Sequence, residues 1–395
     1  MIEDGNEDQA GHGHRHGHGH GSEKRGPRPY TPAPSPSEES MDRMRVAVLM
    51  GGPSSEHEVS LRGGSHVVEA LDRKRYEVRP VLVTREGRWR VASKPWEGGK
   101  SPRGDVGFDP LAASVAWRDF DGAWGGLAEL VAWKADVALP ILHGRFGEDG
   151  TIQACLAAAG IPFAGSGVRG SALAIDKIRT KEVLAFHGVR TPAFRSLSRD
   201  DLSHGRPALA DEVVRRFGSP VVVKDPLGGS TLEVRICDDA RETALAFEAL
   251  SPPADRLLVE AFAKGREFTA GVLDDRERGR PIALPLVEIR PKAGRVFDYR
   301  EKYDADGAEE ICPADLPHAV EGEGRSLALR VHEILGLRGI SRTDVILEED
   351  GRFTVLEVNT IPGMTARSLI PKAAAVAGID FPGVLDRLIR TAGID

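Results

Sequence analysis

The chain has 395 residues and a mass of 42.6 kDa, room for two or three domains of about 100–200 residues each. Hydrophobic residues make up 41%, charged residues 29%, and the net charge is −7; the chain can bury a core, and nothing points to nucleic acid or an anionic membrane as partner. No apolar run approaches the roughly 18–20 residues of a membrane span, and the three cysteines, Cys155, Cys237 and Cys312, form no CxxC pair, which argues for a reduced, cytoplasmic protein without a disulfide scaffold or zinc finger.

Residues 1–40 stand apart. They hold one strong aliphatic, Ile2, with five prolines, seven glycines, seven acids and four bases, too little apolar surface to offset the entropy of ordering. No apolar h-region marks a signal peptide. Histidines at 12, 14, 16, 18 and 20 alternate mostly with glycine and could chelate a transition metal loosely. The segment reads as a disordered, dispensable tail rather than a metal store.

Arg45-Val-Ala-Val-Leu-Met50 is an apolar run ending in Gly51-Gly52-Pro53, the pattern of a buried parallel strand entering a turn. Ser55-x-x-Glu58 has capping-box spacing ahead of a helix over Val59–Leu71, and a strand over Val78–Val83 follows. The turn lacks GxGxxG, which argues against a nicotinamide cofactor. Residues 86–133 are Gly-rich, contain all five tryptophans and read as irregular. A strand over Val137–Leu142 then runs into His143-Gly144-Arg-Phe-Gly147-Glu-Asp-Gly150. A histidine at a strand's carboxyl end lies where open α/β sheets take ligands, although a loop histidine bonded to backbone would look the same. Gly165-Ser-Gly167 closes this first domain. Lys177 and Lys181 fall on the next amphipathic helix and by themselves read as surface charges.

Pro220-Val-Val-Val-Lys224 drives a lysine into an apolar strand just before Asp225-Pro-Leu-Gly228-Gly229-Ser230-Thr231. Such a loop can fold N–H groups over phosphates or be a simple turn; the adjacent buried lysine favours phosphate, which would satisfy its ammonium. Leu257–Glu260 and Glu267–Val272 are further strands with carboxylates at their ends. Ile340–Leu347 and Phe353–Asn359 alternate around Glu349-Asp350-Gly351-Arg352. With Asp350-Gly351 as a two-residue turn, Asp344 lies opposite Glu357 and Arg342 opposite Asn359, all on one face. Two opposed carboxylates repel unless a cation lies between them, and two acids with an amide oxygen suit Mg²⁺. A solvated outer face would alternate similarly, but Ile346 and Val355 on that face are apolar, which favours a lined cleft. No Ser-His-Asp set is evident.

Arg342-x-Asp344 followed by Glu357-x-Asn359-Thr-x-Pro-Gly363-Met-Thr-x-x-Ser368-Leu369 resembles the ATP-grasp ligases, and within them the D-alanine–D-alanine ligases of peptidoglycan synthesis. Gly51-Gly-x-Ser-x-Glu56-x-x-Val-Ser60, His143-Gly144, Gly165-Ser-Gly167, Asp176-Lys177, Lys224, Gly229-Ser230 and Asp298-Tyr299-x-x-Lys302-Tyr303 extend the match over residues 45–393. The resemblance implies an α/β fold: a Rossmann-like parallel-sheet domain over 41–165, then an ATP-grasp fold with a central part over 166–259 and a C-terminal part over 260–395. It implies a cytoplasmic homodimer that uses ATP and two Mg²⁺ or Mn²⁺ ions to join two D-alanines through an acyl phosphate. The alternatives are a ligase of the same mechanism with another acceptor, D-lactate or a different amino acid, and a nucleotide-binding paralogue without turnover.

By the same resemblance, Lys177 and Lys224 hold the α- and β-phosphates, Glu260 and Phe262 the adenine region, and Glu267 the ribose. Asp344, Glu357 and Asn359 hold the metals. Glu56 binds the first D-alanine's ammonium, His143 and Lys302 line the substrate, Ser368 and Leu369 position the second D-alanine's carboxylate, and Arg342 with the Gly363 N–H forms the oxyanion hole. Ser230, Lys302 and Tyr303 belong to closing loops, Tyr303 marking an amine acceptor rather than D-lactate. The chain departs from the family pattern at Asp225, where a proline is usual, and at Glu233, where a glycine is usual.

Overall fold

A computed structural model describes residues 43–98, 108–203, 205–228, 234–251, 255–290 and 308–394. The tail, the loop residues Gly229–Glu233 and the segment carrying Tyr299, Lys302 and Tyr303 lie outside the described residues, so the expectations placed on them, Ser230 included, stay sequence readings. The described residues form one compact unit built on three sheets.

The first sheet contains β1 (Met44–Gly51), β2 (Tyr76–Val83), β3 (Trp89–Ala92), β4 (Trp117–Phe120) and β5 (Val137–Pro140) in the order β4-β3-β2-β1-β5. β1 lies parallel to both β2 and β5. Its side chains alternate between two apolar clusters: Val46, Val48 and Met50 enter one, Ala47 and Leu49 the other, so both faces are covered. The helices of this part are α1 (His57–Ala70), α2 (Ala123–Ala132) and α3 (Thr151–Ala158). Residues 86–133 are therefore less irregular than expected: β3 extends the sheet antiparallel to β2, β4 adds antiparallel to β3, and α2 packs on them. Trp89 is fully buried, and a Cβ at Gly126 would sit 2.3 Å from its ring, so the helix glycine admits the indole. The capping box also fails. The residue before α1 is Glu56 and gives no side-chain cap; Glu58 instead reaches Arg85 at 3.1 Å.

Helices α4 (Val168–Ile175) and α5 (Lys177–Phe186) lead into an antiparallel sheet of β6 (Phe194–Ser198), β7 (Val221–Lys224), β8 (Val234–Cys237) and β9 (Arg256–Ala261), ordered β6-β9-β7-β8. Its core is closed by α7 (Arg206–Phe217) and α8 (Ala240–Leu250), after a short α6 (Arg199–Ser203).

The third sheet runs β13-β12-β10-β14-β15, with β11 beside β10. The strands are β10 (Gly265–Leu273), β11 (Ile282–Ala283), β12 (Val287–Arg290), β13 (Glu309–Ile311), β14 (Ile340–Glu348) and β15 (Phe353–Asn359). Helix α9 (His318–Ile334) covers one face, while α10 (Leu369–Val376) and α11 (Phe381–Arg390) pack into the same apolar cluster as Val46 and Val48 of the first sheet. No helix among the described residues is long and apolar enough to cross a membrane.

Candidate active site

The β14–β15 hairpin organises the site. Arg342 pairs with Asn359 and Asp344 with Glu357, as the sequence predicts, but by a different route. Near the turn Leu347 pairs with Phe353 and Ile346 with Thr354, so the loop has three residues, Glu349-Asp350-Gly351, with Gly351 left-handed at a φ of +79°. A bulge between Val345 and Asp344 then adds a residue to β15 and restores the pairing at Asp344 and Glu357. The apolar companion is consequently Leu356, which lines the cleft beside Ile346; Val355 pairs with Val345 and enters the core under α9. The extra residue turned Val355 to the other face.

The polar face of this hairpin runs between two clefts. The larger, about 620 Å³, is lined by Lys224, Glu260, Phe262, Glu267, Asp344 and Glu357. The smaller, about 230 Å³, is lined by Glu56, His143, Arg342, Asn359, Gly363, Ser368 and Leu369. A narrow crevice beside them holds Lys177, Gly228, Glu357 and Asn359. Every described residue for which the family resemblance implies a nucleotide contact lines the larger cleft or the crevice, and every one implied for substrate lines the smaller.

Asp344 is only 6% exposed. It accepts from Thr269 Oγ1 at 2.7 Å, and Arg342 forks onto both of its oxygens, Nε at 3.0 and 3.2 Å and Nη2 at 2.7 Å. Asn359 Nδ2 stands 3.4 Å from the same carboxylate. Lys177 Nζ donates to the Gly228 carbonyl at 2.5 Å and lies 3.4 Å from Glu357. Among the described residues, no three His, Cys, Asp or Glu side chains cluster as a self-sufficient metal site. The donor set is two carboxylates and an amide, hard oxygen ligands that leave the remaining positions of a divalent cation to other oxygens, and it suits Mg²⁺ bound with phosphate.

Lys177 and Lys181 are not surface charges: they are 7% and 1% exposed. Asp176 caps α5, accepting from the N–H groups of Ile178 and Arg179, each at 3.1 Å, and the Lys177 N–H donates to Pro226 O at 2.9 Å. The lysines lie one turn apart on the helix face turned to the sheet. On that sheet Val222 of β7 pairs with Glu260 of β9, which puts Lys224 on a diagonal to Glu260 on the same face. Lys224 Nζ reaches Glu260 at 2.7 Å and Lys181 Nζ reaches it at 2.5 Å. Burial works against the Glu260 carboxylate, but the two ammoniums outweigh it and hold its pKa below the ordinary range.

In the smaller cleft, His143 Nδ1 bonds the Ile361 carbonyl at 2.9 Å, so the backbone-bonded reading and the ligand-cleft reading of this histidine hold together. Glu148, quoted in its motif but given no role from sequence, joins the two sides of the cleft. It accepts from Gly144 N at 2.8 Å and from Ile361 N at 2.9 Å. Ser368 is held by Thr365, whose N–H donates to Oγ at 3.1 Å and whose hydroxyl lies 2.8 Å away. Asp225 is buried; its Oδ1 accepts from Leu227 N at 2.9 Å, the local turn that an aspartate offers and a proline cannot, and Arg145 stands 3.5 Å from Oδ2.

One Ser-His-Asp arrangement does exist: Ser341 Oγ lies 2.7 Å from His332 Nδ1, and Asp274 lies 3.5 Å from Nε2. Ser341 is fully buried and none of the three lines a cleft, so they tie β14 to α9 and β10 rather than present a nucleophile.

Residues 45–166 match the model of the D-ala D-ala ligase N-terminus and residues 183–390 that of the C-terminus. A D-alanine--D-alanine ligase of Syntrophobacter fumaroxidans is 41% identical over 354 residues, 89% of this chain and 99% of that protein. Among solved structures, the Bacillus anthracis D-alanine--D-alanine ligase complexed with ATP superposes with a TM-score of 0.66 at 29% identity, covering 88% of this chain and 97% of that one. The VanG D-Ala:D-Ser ligase of Enterococcus faecalis gives 0.70 at 26% identity, covering 88% and 99%. The two-cleft architecture, both halves of the sequence and the full length of such relatives agree: the chain belongs to the D-alanine–D-alanine ligase family, with the ATP-grasp fold.

Proposed function

We propose that the chain condenses two D-alanines into D-alanyl-D-alanine, with ATP converted to ADP and phosphate, in the cytoplasm as a peptidoglycan precursor step. The observation that carries this is the hairpin's continuous polar face: Asp344 and Glu357 line the larger cleft while Arg342 and Asn359 line the smaller. A phosphoryl group leaving a nucleotide in the first would reach a carboxylate held in the second.

A carboxylate does not condense with an amine in water, so the first D-alanine must be activated as an acyl phosphate by the γ-phosphoryl group. Lys177 and Lys224 would hold the α- and β-phosphates, Glu260 and Phe262 would flank the adenine region and Glu267 would take the ribose. Asp344, Glu357 and Asn359 would hold Mg²⁺, which when bound neutralises charge on the phosphates. Glu56, at the start of α1 and against Gly144, would bind the first ammonium. Ser368 and Leu369, at the start of α10, would seat the acceptor's carboxylate on N–H groups and a helix dipole. Arg342 and the Gly363 N–H would stabilise the tetrahedral oxyanion when the second amine attacks. Ser230, Lys302 and Tyr303 would close over the site, because an acyl phosphate in contact with water hydrolyses.

The test is phosphate release with ATP, Mg²⁺ and D-alanine, the product identified by mass and D-lactate and D-serine run in parallel. Release should require D-alanine, and Glu357→Gln should lower it about 10²–10³-fold, the loss expected when one preorganised charge is removed, with the melting temperature preserved. ATP turnover indifferent to D-alanine, or near-normal turnover of the variant, would sink the assignment; preference for D-lactate or D-serine would move it to another acceptor.

A further inference from the structure

Lys181 lines none of the three clefts, yet it is 1% exposed and its ammonium sits 2.5 Å from Glu260 Oε1. The other oxygen of the same carboxylate lies 2.7 Å from Lys224. Two buried ammoniums therefore share one buried carboxylate at the wall of the larger cleft. Burying an ammonium is costly, and a lone structural pair with Glu260 needs one lysine, not two.

Electrostatics gives the second lysine a purpose. If Lys224 alone faced Glu260, the pair would be neutral and Lys224 would have little attraction left for an anion. With Lys181 holding Oε1, the Glu260 charge is divided between two ammoniums, and Lys224, which unlike Lys181 borders the cleft, is only partly neutralised by it. Burial lowers the Lys181 pKa, only partly offset by Glu260, whereas at Lys224 burial, which also acts to lower the pKa, is outweighed by Glu260 and Glu357 and the pKa is raised.

We propose that Lys181 is a positioning residue for the nucleotide: by occupying one oxygen of Glu260 it leaves the charge of Lys224 free for the phosphates, without touching the ligand itself. This rests on reading the larger cleft as the ATP site.

Calorimetric titration of the full chain with Mg-ADP and with adenosine tests it. The unaltered protein should bind both, and Lys181→Met should weaken ADP at least tenfold while adenosine changes less than twofold; Lys181→Arg should recover most of the loss. Loss of a merely architectural strut would weaken both ligands alike, and that result, or unchanged ADP affinity, overturns the proposal. Should Lys181→Met fail to fold, Lys181→Met/Glu260→Gln, which removes both charges together, is compared with Glu260→Gln. Because Lys181 acts through Glu260, the two should bind ADP within about twofold; a further tenfold loss overturns it. An unaltered protein that binds neither ligand would instead refute the nucleotide reading of the cleft and the inference with it.

Discussion

Glu148 is the residue through which the loop after β5 and the loop after β15 are joined, with the N–H groups of Gly144 and Ile361 on its two oxygens. Burial raises its pKa, and the nearby Glu56 carboxylate adds to the rise against the opposing pull of His143 and the two N–H groups. A folded-state pKa above the unfolded value means that its stabilising contribution is full below the unfolded pKa, about 4.3, and lost as pH rises through the folded pKa. In Glu148→Gln one N–H faces an amide NH₂ and goes unpaired, a cost of about 1–3 kcal/mol. Urea midpoints of both proteins from about pH 4.5 to 8 should therefore show a deficit in the variant that shrinks with rising pH; a deficit that grows would mean the N–H bonds, not burial, dominate. Glu148 stood in a quoted motif, but nothing local in His143-Gly-Arg-Phe-Gly-Glu148 announces that its partner is the backbone of Ile361. The same limit hid the burial of Lys177 and Lys181. Their carboxylates are Glu357 and Glu260, and no pattern within α5 distinguishes such lysines from solvated ones.

The hairpin shows how an element can be read correctly for the wrong reason. Alternation placed both strands and set Arg342, Asp344, Glu357 and Asn359 on one face, and that much is visible in any alternating run. The turn and the bulge are not, because each depends on one residue's backbone conformation; their one-residue shifts cancel at Asp344 and Glu357 and remain visible at Val355 and Leu356. The three-residue loop requires Gly351 to stay left-handed, with open space around its Cβ position. Gly351→Ala should then cost about 1–2 kcal/mol from the backbone alone, lowering the melting temperature by a few degrees. The bulge lies between turn and site, so kcat should stay within about twofold. A large fall in kcat would mean that the turn sets the register of the catalytic end directly. Strands β3 and β4 were missed for a different reason: each is four residues long, and their order comes from pairing, β3 with β2 and β4 with β3.

At the scale of the molecule, the first sheet does not own its core. Val46, Val48 and Met50 share one cluster with Val384, Leu385 and Leu388 of α11, residues more than 330 positions away in the chain. The chain's last turn also pairs with this part, Phe163 exchanging backbone hydrogen bonds with Gly393 at 3.0 and 3.1 Å. Tyr76, at the start of β2, donates its hydroxyl to Asp386 at 2.5 Å, and Arg75 lies 2.5 Å from the same carboxylate. The smaller cleft depends on this closure, because Glu56 and His143 come from the first sheet's loops while Arg342 and Ser368 come from the third sheet and the start of α10. Leu385 is fully buried, and Leu385→Ala should cost about 2–5 kcal/mol. All five tryptophans lie between residues 89 and 133, so their fluorescence reports unfolding of the first sheet, whereas far-ultraviolet circular dichroism reports the whole chain. A shared core requires the two denaturation curves to coincide in the unaltered protein and to move together in the variant. If the fluorescence midpoint stays put while the dichroism midpoint falls, the first sheet is stable without α11, and the cleft is a contact between independently folding parts.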